Sequence, residues 1–164
     1  MSEIPELLER FRRGAELVAV AITGAAGPEF DFKPAPEKWS VRQLVAHLSD
    51  TEAVNVTRLR QILAEDNPTL ISWNQNAWAE KTNYDKRKPS QALETMRTLR
   101  ADNYELLKDL PPETYSRAGN HPERGRLTLL DLLRGSAEHA EKHAAQIRDV
   151  RGQYKASRQK AAAK

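Results

Sequence analysis

No cysteine occurs in the 164 residues, which excludes disulfides and thiolate metal sites together. Any metal held by side chains must then be bound by His, Asp or Glu. Long apolar runs are missing too, since no stretch approaches the roughly 18 residues of a membrane-spanning helix. The opening MSEIPELLERFRRG carries acids early and has no apolar segment leading to a small-residue cleavage site, so no signal peptide is expected. A cytoplasmic protein without membrane contact is the expectation. The alternating pattern that marks strands is absent, as are internal repeats and, beyond the terminal AAAK, low-complexity segments.

Basic surplus over the body of the chain is also lacking. The formal net charge is +3, but Arg151, Lys155, Arg158, Lys160 and Lys164 lie in a closing stretch without acids. The remaining 21 bases face 23 acids, leaving the body at −2. A nucleic-acid binder would spread basic residues over a folded face interleaved with aromatics, so nucleic acid is not the expected partner. With 30% charged and 39% hydrophobic residues, the chain reads as one globular domain over residues 1–152. A basic, flexible tail is expected over 153–164.

What is present is helical spacing, in four segments. Ile4, Leu7, Leu8, Phe11, Ala15, Val18 and Ile22 follow a three–four rhythm. The glycines and prolines of GAAGPEFDFKPAPEKW then break it. Ser40 is placed to cap a second helix while Gln43 reaches back; its stripe runs Val41, Leu44, Val45, Leu48, Glu52, Asn55, Leu59, Ile62. A third is predicted from Ser90 as cap, through Met96, Leu99, Asn103 and Leu106, to the prolines at 111 and 112. The fourth starts at Thr128 and carries Leu129, Leu132, Leu133, Ser136, Ala140, His143, Ile147 and Val150. Four such stripes bury one another as an all-α four-helix bundle. The long link from about 65 to 88, with a short helical piece holding Trp73 and Trp78, can return the chain along the bundle, so that helices two and three run parallel.

Chemistry enters with HAEKHAAQI (139–147). Histidines four apart leave one helix face about 6 Å apart along the axis, close enough for both rings to reach one ion. His143 falls inside the apolar stripe and His139 at its edge, while Glu138, Glu141 and Lys142 point away. Water or backbone groups satisfy most such pairs, so the spacing alone leaves surface chemistry open. His47 on the second helix, close to that helix's own stripe, is a candidate third ligand. Glu52 interrupts the same stripe; a carboxylate there needs either a cation at the site or an arginine from another helix.

KWSVRQLVAHLSDTE, AEDNP, NQNAWA, NHPERGRLTLLDLL and HAEKHAAQI, in that order over about residues 3 to 151, resemble the DinB-like, or damage-inducible, family. They resemble with it the bacillithiol- and mycothiol-dependent transferases. The resemblance implies an up-down-down-up bundle and a divalent metal (nickel, zinc, iron or manganese) on His47, His139 and His143. It also implies a homodimer, and a metal that activates a low-molecular-weight thiol such as bacillithiol or mycothiol for S-transfer to an electrophile. Hydrolysis by metal-bound water is the alternative chemistry, and a non-catalytic metal-binding stress-response module the alternative class. Glu52 is then a candidate for orienting a ligand or a water. Arg58, Trp73 and Trp78 are candidates for lining a substrate pocket, and His121, in the HPERG loop, for shaping that loop or the pocket.

Overall fold

The computed structural model describes residues 3–163. Along them run α1 (Ile4–Ile22), the one-turn α2 (Pro28–Asp31), α3 (Val41–Ala64), α4 (Gln75–Lys81) and α5 (Pro89–Leu107). A hairpin of β1 (Ala118–His121) and β2 (Gly125–Thr128) follows, then α6 (Leu129–Ala162). The four long helices start where their chemistry allows. Ser40 Oγ accepts from Gln43 N–H while the Gln43 side chain takes the Ser40 N–H, a complete capping box. Thr128 and Asp131 build the same device on α6.

Cross-helix pairs give the directions. Glu3 meets Arg134, Arg10 meets Glu141, and Arg151 reaches the Ala21 carbonyl, so α1 and α6 run parallel. Asp50 meets Arg87 and Asn103 meets Arg60, so α3 and α5 also run parallel. Between the two pairs the sense reverses. His47 lies beside His139 whereas Asn55 lies beside Ser136, and Phe11 lies beside Arg100 whereas Glu16 lies beside Arg97. The bundle is therefore up-down-down-up, and residues 65–88 carry the chain back between α3 and α5.

Two apolar clusters form the core. One gathers Val18, Leu44, Leu48, Met96 and Ile147, the other Phe11, Leu59, Ile62, Leu107 and Leu133. Buried polar groups occupy helix positions between them: Glu52, Asn55, Arg100 and Ser136. The Arg100 guanidinium passes so close to α1 that a methyl group on Gly14 would collide with it. That glycine is required by an approach, not by a turn.

Three features differ from the sequence reading. Ser90 does not cap α5: the helix begins at Pro89, whose fixed φ and missing N–H suit the first helical position. A two-stranded antiparallel hairpin exists where no strand was expected, with Ala118 opposite Thr128 and His121 opposite Gly125. Its four-residue strands, AGNH and GRLT, are too short and too polar to show alternation. Third, α6 crosses the boundary expected at 152 and stays helical to Ala162, in a stretch of Lys, Arg, Gln and Ala that favours helix. No helix among the described residues is long and apolar enough to cross a membrane.

Candidate metal centre

Two turns into α3, His47 turns its ring toward α6. There His139 and His143 stand one turn apart, as their spacing requires. His139 Nε2 lies 3.1 Å from His47 Nε2 and 3.0 Å from His143 Nε2. The three can offer one nitrogen each to a common ion. The packing around them fixes which nitrogen faces inward. His143 Nδ1 lies 2.8 Å from Gln146 Oε1, so Nδ1 carries the proton and Nε2 presents its lone pair to the site. The His47 ring is stacked on Trp73, centroids 5.7 Å apart and planes within 15°, with Trp39 edge-on at 4.9 Å.

Burial sets the charge state. Desolvation first, and the neighbouring His143 second, hold His47 down to about 3. His139 is likewise held to about 3 by burial and then by its two histidine neighbours. Burial also lowers His143, partly opposed by the Gln146 hydrogen bond. All three rings are thus neutral at pH 7, the form that ligates metals. The His139 Nε2 atom meets two partners with one lone pair or one proton, and cannot satisfy both. His47 Nδ1 is buried without a hydrogen-bond partner among the described residues. Imidazole nitrogens crowded in this way match the donor set of a divalent cation.

Space opens beside the triad. A cavity of about 270 Å³ is walled by His47, His139, Asn55, Arg58, Trp73 and Arg124, among others. A second opening, between Trp39, Lys142 and Gln146, reaches His143 as well. Arg58 and Trp73 are both on the wall of the first cavity. Trp78 packs edge-on against Trp73 at 4.8 Å and is 36% exposed, outside the walls of these two cavities. Glu52 takes the other role weighed for it. Its Oε2 accepts from Arg100 Nε at 3.0 Å and Nη2 at 2.6 Å, and Oε1 is buried with no partner among the described residues. It ties α3 to α5 and is hydrogen-bonded to none of the three histidines. His121 is buried on β1 with its ring against Arg58.

Several members of the site went unread in the sequence. Gln146 was legible in principle, three residues past His143 on the same face. Trp39 ends the loop before α3, with no periodicity to aim it. Arg124 sits in the tight turn of a hairpin that was not expected.

The family model described as the DinB superfamily matches residues 7–147. An Oceanobacillus iheyensis protein, provisionally named a metal-dependent hydrolase, is 32% identical over 110 residues, covering 66% of this chain and 63% of that protein. A Bacillus mycoides protein of the same provisional name is 31% identical over 114 residues, covering 69% and 65%. The alignment therefore spans less than two thirds of either relative's length. Among solved structures, YfiT from Bacillus subtilis is described as a probable metal-dependent hydrolase with an unusual four-helix bundle topology. It superimposes with a TM-score of 0.86 at 23% identity, over 92% of this chain and 87% of that one. At that identity the likeness is one of fold.

Proposed function

The chain belongs to the DinB superfamily, and from that premise we propose that it is a metal-dependent hydrolase whose divalent ion is held by His47, His139 and His143. The observation that carries the reading is the meeting of three neutral imidazoles, from two helices, on the wall of an open cavity. Three protein ligands are the number found in catalytic sites, where structural zinc sites use four. Imidazole donors suit zinc, nickel or iron better than manganese, and far better than magnesium or calcium. When bound, such an ion supplies Lewis acidity to a substrate oxygen and lowers the pKa of water toward neutrality.

The chain's own residues do the rest. Gln146 holds the His143 proton on Nδ1, and Trp73 and Trp39 clamp the His47 plane, so little reorganisation is needed on loading. Asp131, the carboxylate on the cavity wall, has its oxygens taken by Thr128 and Arg134.

The motif resemblance to thiol-dependent transferases supports a second reading, because the same ligands can present a thiol in place of water. One experiment separates the two. Zinc-, nickel- and iron-loaded protein is assayed on a panel of small esters and amides, with and without a low-molecular-weight thiol, before and after chelation. Hydrolysis that is lost with the chelator, restored by metal and indifferent to thiol is the expected result. Strict dependence on thiol, with the thiol in the product, replaces hydrolase by transferase. Metal uptake without turnover in either arm leaves a binding module.

A further inference from the structure

Two buried arginines on the bundle helices, both at least nine-tenths covered, differ in one respect. Arg100, 3% exposed, is neutralised by Glu52. Arg58, 7% exposed, has no carboxylate partner among the described residues. Its Nε donates to the Ile71 carbonyl at 2.9 Å, and its Nη2 faces His121 Nε2 at 3.0 Å. A guanidinium carries five N–H donors, so both Nη1 hydrogens and one on Nη2 have no protein acceptor among the described residues.

Even the His121 contact is contested. The Glu123 N–H faces His121 Nδ1 at 3.2 Å, and a neutral imidazole has one lone pair to share between those two donors. The neighbourhood adds positive charge. Arg124 lines the same cavity, is exposed, and forms no ion pair among the described residues. Of the nearby acids, Asp131 is paired with Arg134, and Glu123 accepts from the Ser72 hydroxyl and attracts Arg58 without forming an ion pair with it. A buried cation without an ion-paired anion is costly to hold, and this one sits at the edge of a cavity that also touches His47 and His139.

We propose that Arg58, assisted by Arg124, is the docking subsite for a substrate carboxylate, so that the enzyme acts on small carboxylic acids whose scissile bond lies beside the histidine triad. The Nη1 group and the remaining Nη2 hydrogen of Arg58 are left to donate to a carboxylate, the anion a guanidinium binds best. The cavity, about 270 Å³, lies just below the roughly 300–1,000 Å³ usual for ligand sites, which restricts the acid to a small one. His121 faces the guanidinium from β1. The placing of the reacting bond rests on the hydrolase reading; the anion subsite itself needs no metal.

The test uses succinate, its neutral analogue succinamide and inorganic phosphate, titrated into metal-free and zinc-loaded full chain at low ionic strength. The Arg58 Nε–H and Trp73 indole resonances are followed in each titration. Succinate is expected to shift both saturably in the metal-free protein, and succinamide to shift neither. Arg58→Gln is expected to weaken succinate by about tenfold or more, Arg124→Gln by less, and the charge-retaining Arg58→Lys to fall between. Arg58→Lys and Arg124→Gln keep the question answerable if Arg58→Gln unfolds. Undiminished succinate affinity in both Arg58→Lys and Arg124→Gln, equal response to succinamide, or tighter binding of phosphate than of succinate overturns the proposal. A separate zinc titration tells the two readings apart: no zinc uptake by wild type with intact succinate binding sinks the hydrolase and spares the subsite.

Discussion

Gln146 Oε1 accepts from His143 Nδ1–H at 2.8 Å and so decides that the other nitrogen, Nε2, offers its lone pair to the neighbouring rings. Replacing it with leucine removes the acceptor while keeping the bulk. The proton is then free to move to Nε2, where it blocks the lone pair. Gln146→Leu is expected to weaken zinc affinity by about 10–100-fold, read by competition with a chromophoric chelator; unchanged affinity would mean the amide does not steer the ring. The residues that were legible in the sequence are those whose role follows from position on a single helix. His139 and His143 declare themselves by spacing, and His47 through its motif. Glu52 could be seen to need a cation, but only three-dimensional packing chose Arg100 over a metal. The unpaired state of Arg58 was invisible, because it depends on what the Ile71 carbonyl, His121 and Glu123 bring to it from elsewhere in the chain.

Elements were legible in proportion to their length. The helices α1, α3, α5 and α6 repeat their apolar spacing over many turns, and two of them advertise their starts with capping boxes. The hairpin has four residues a side and no such redundancy, yet it carries Arg124 to the cavity and His121 to Arg58. The start of α6 bears directly on the site, since this helix supplies two of the three histidines. Asp131 accepts from the Thr128 hydroxyl at 2.6 Å and the Thr128 N–H at 2.9 Å. Those bonds, the hydroxyl first, hold its carboxyl below the usual aspartate value. A carboxyl whose pKa is lower folded than unfolded stabilises the protein above its unfolded value of about 3.9, and the gain fades as pH drops through the folded value. At pH 7, Asp131→Asn should therefore cost about 0.5 kcal/mol by urea denaturation, since this carboxyl is part-exposed and solvent screens its charge. At about pH 3 the difference from wild type should have narrowed. A gap that widens on acidification would contradict the sign of the shift.

At the scale of the whole molecule, the triad joins segments 92 residues apart in sequence and antiparallel in space. Two of the three histidines share one helix and one comes from another, so an ion held by the proposed triad would meet three nitrogens only in the folded chain. The unfolded chain offers at most a loose pair from HxxxH. An ion that prefers the folded state stabilises it by mass action, by about 2.7 kcal/mol when free metal exceeds Kd about a hundredfold. For a domain of this size, each kcal/mol moves the midpoint by about 2–4 °C, so zinc should raise the melting temperature of wild type by about 5–10 °C. Magnesium, which seeks oxygen ligands and keeps its waters, should leave it unchanged. His47→Ala is the informative variant because it leaves His139 and His143 untouched on α6. If the ion is held across the bundle, that variant should lose most of the zinc-induced shift. If the HxxxH pair alone binds the metal, the shift should persist, and the bundle would be a scaffold for a one-helix site, not one that closes on its ion.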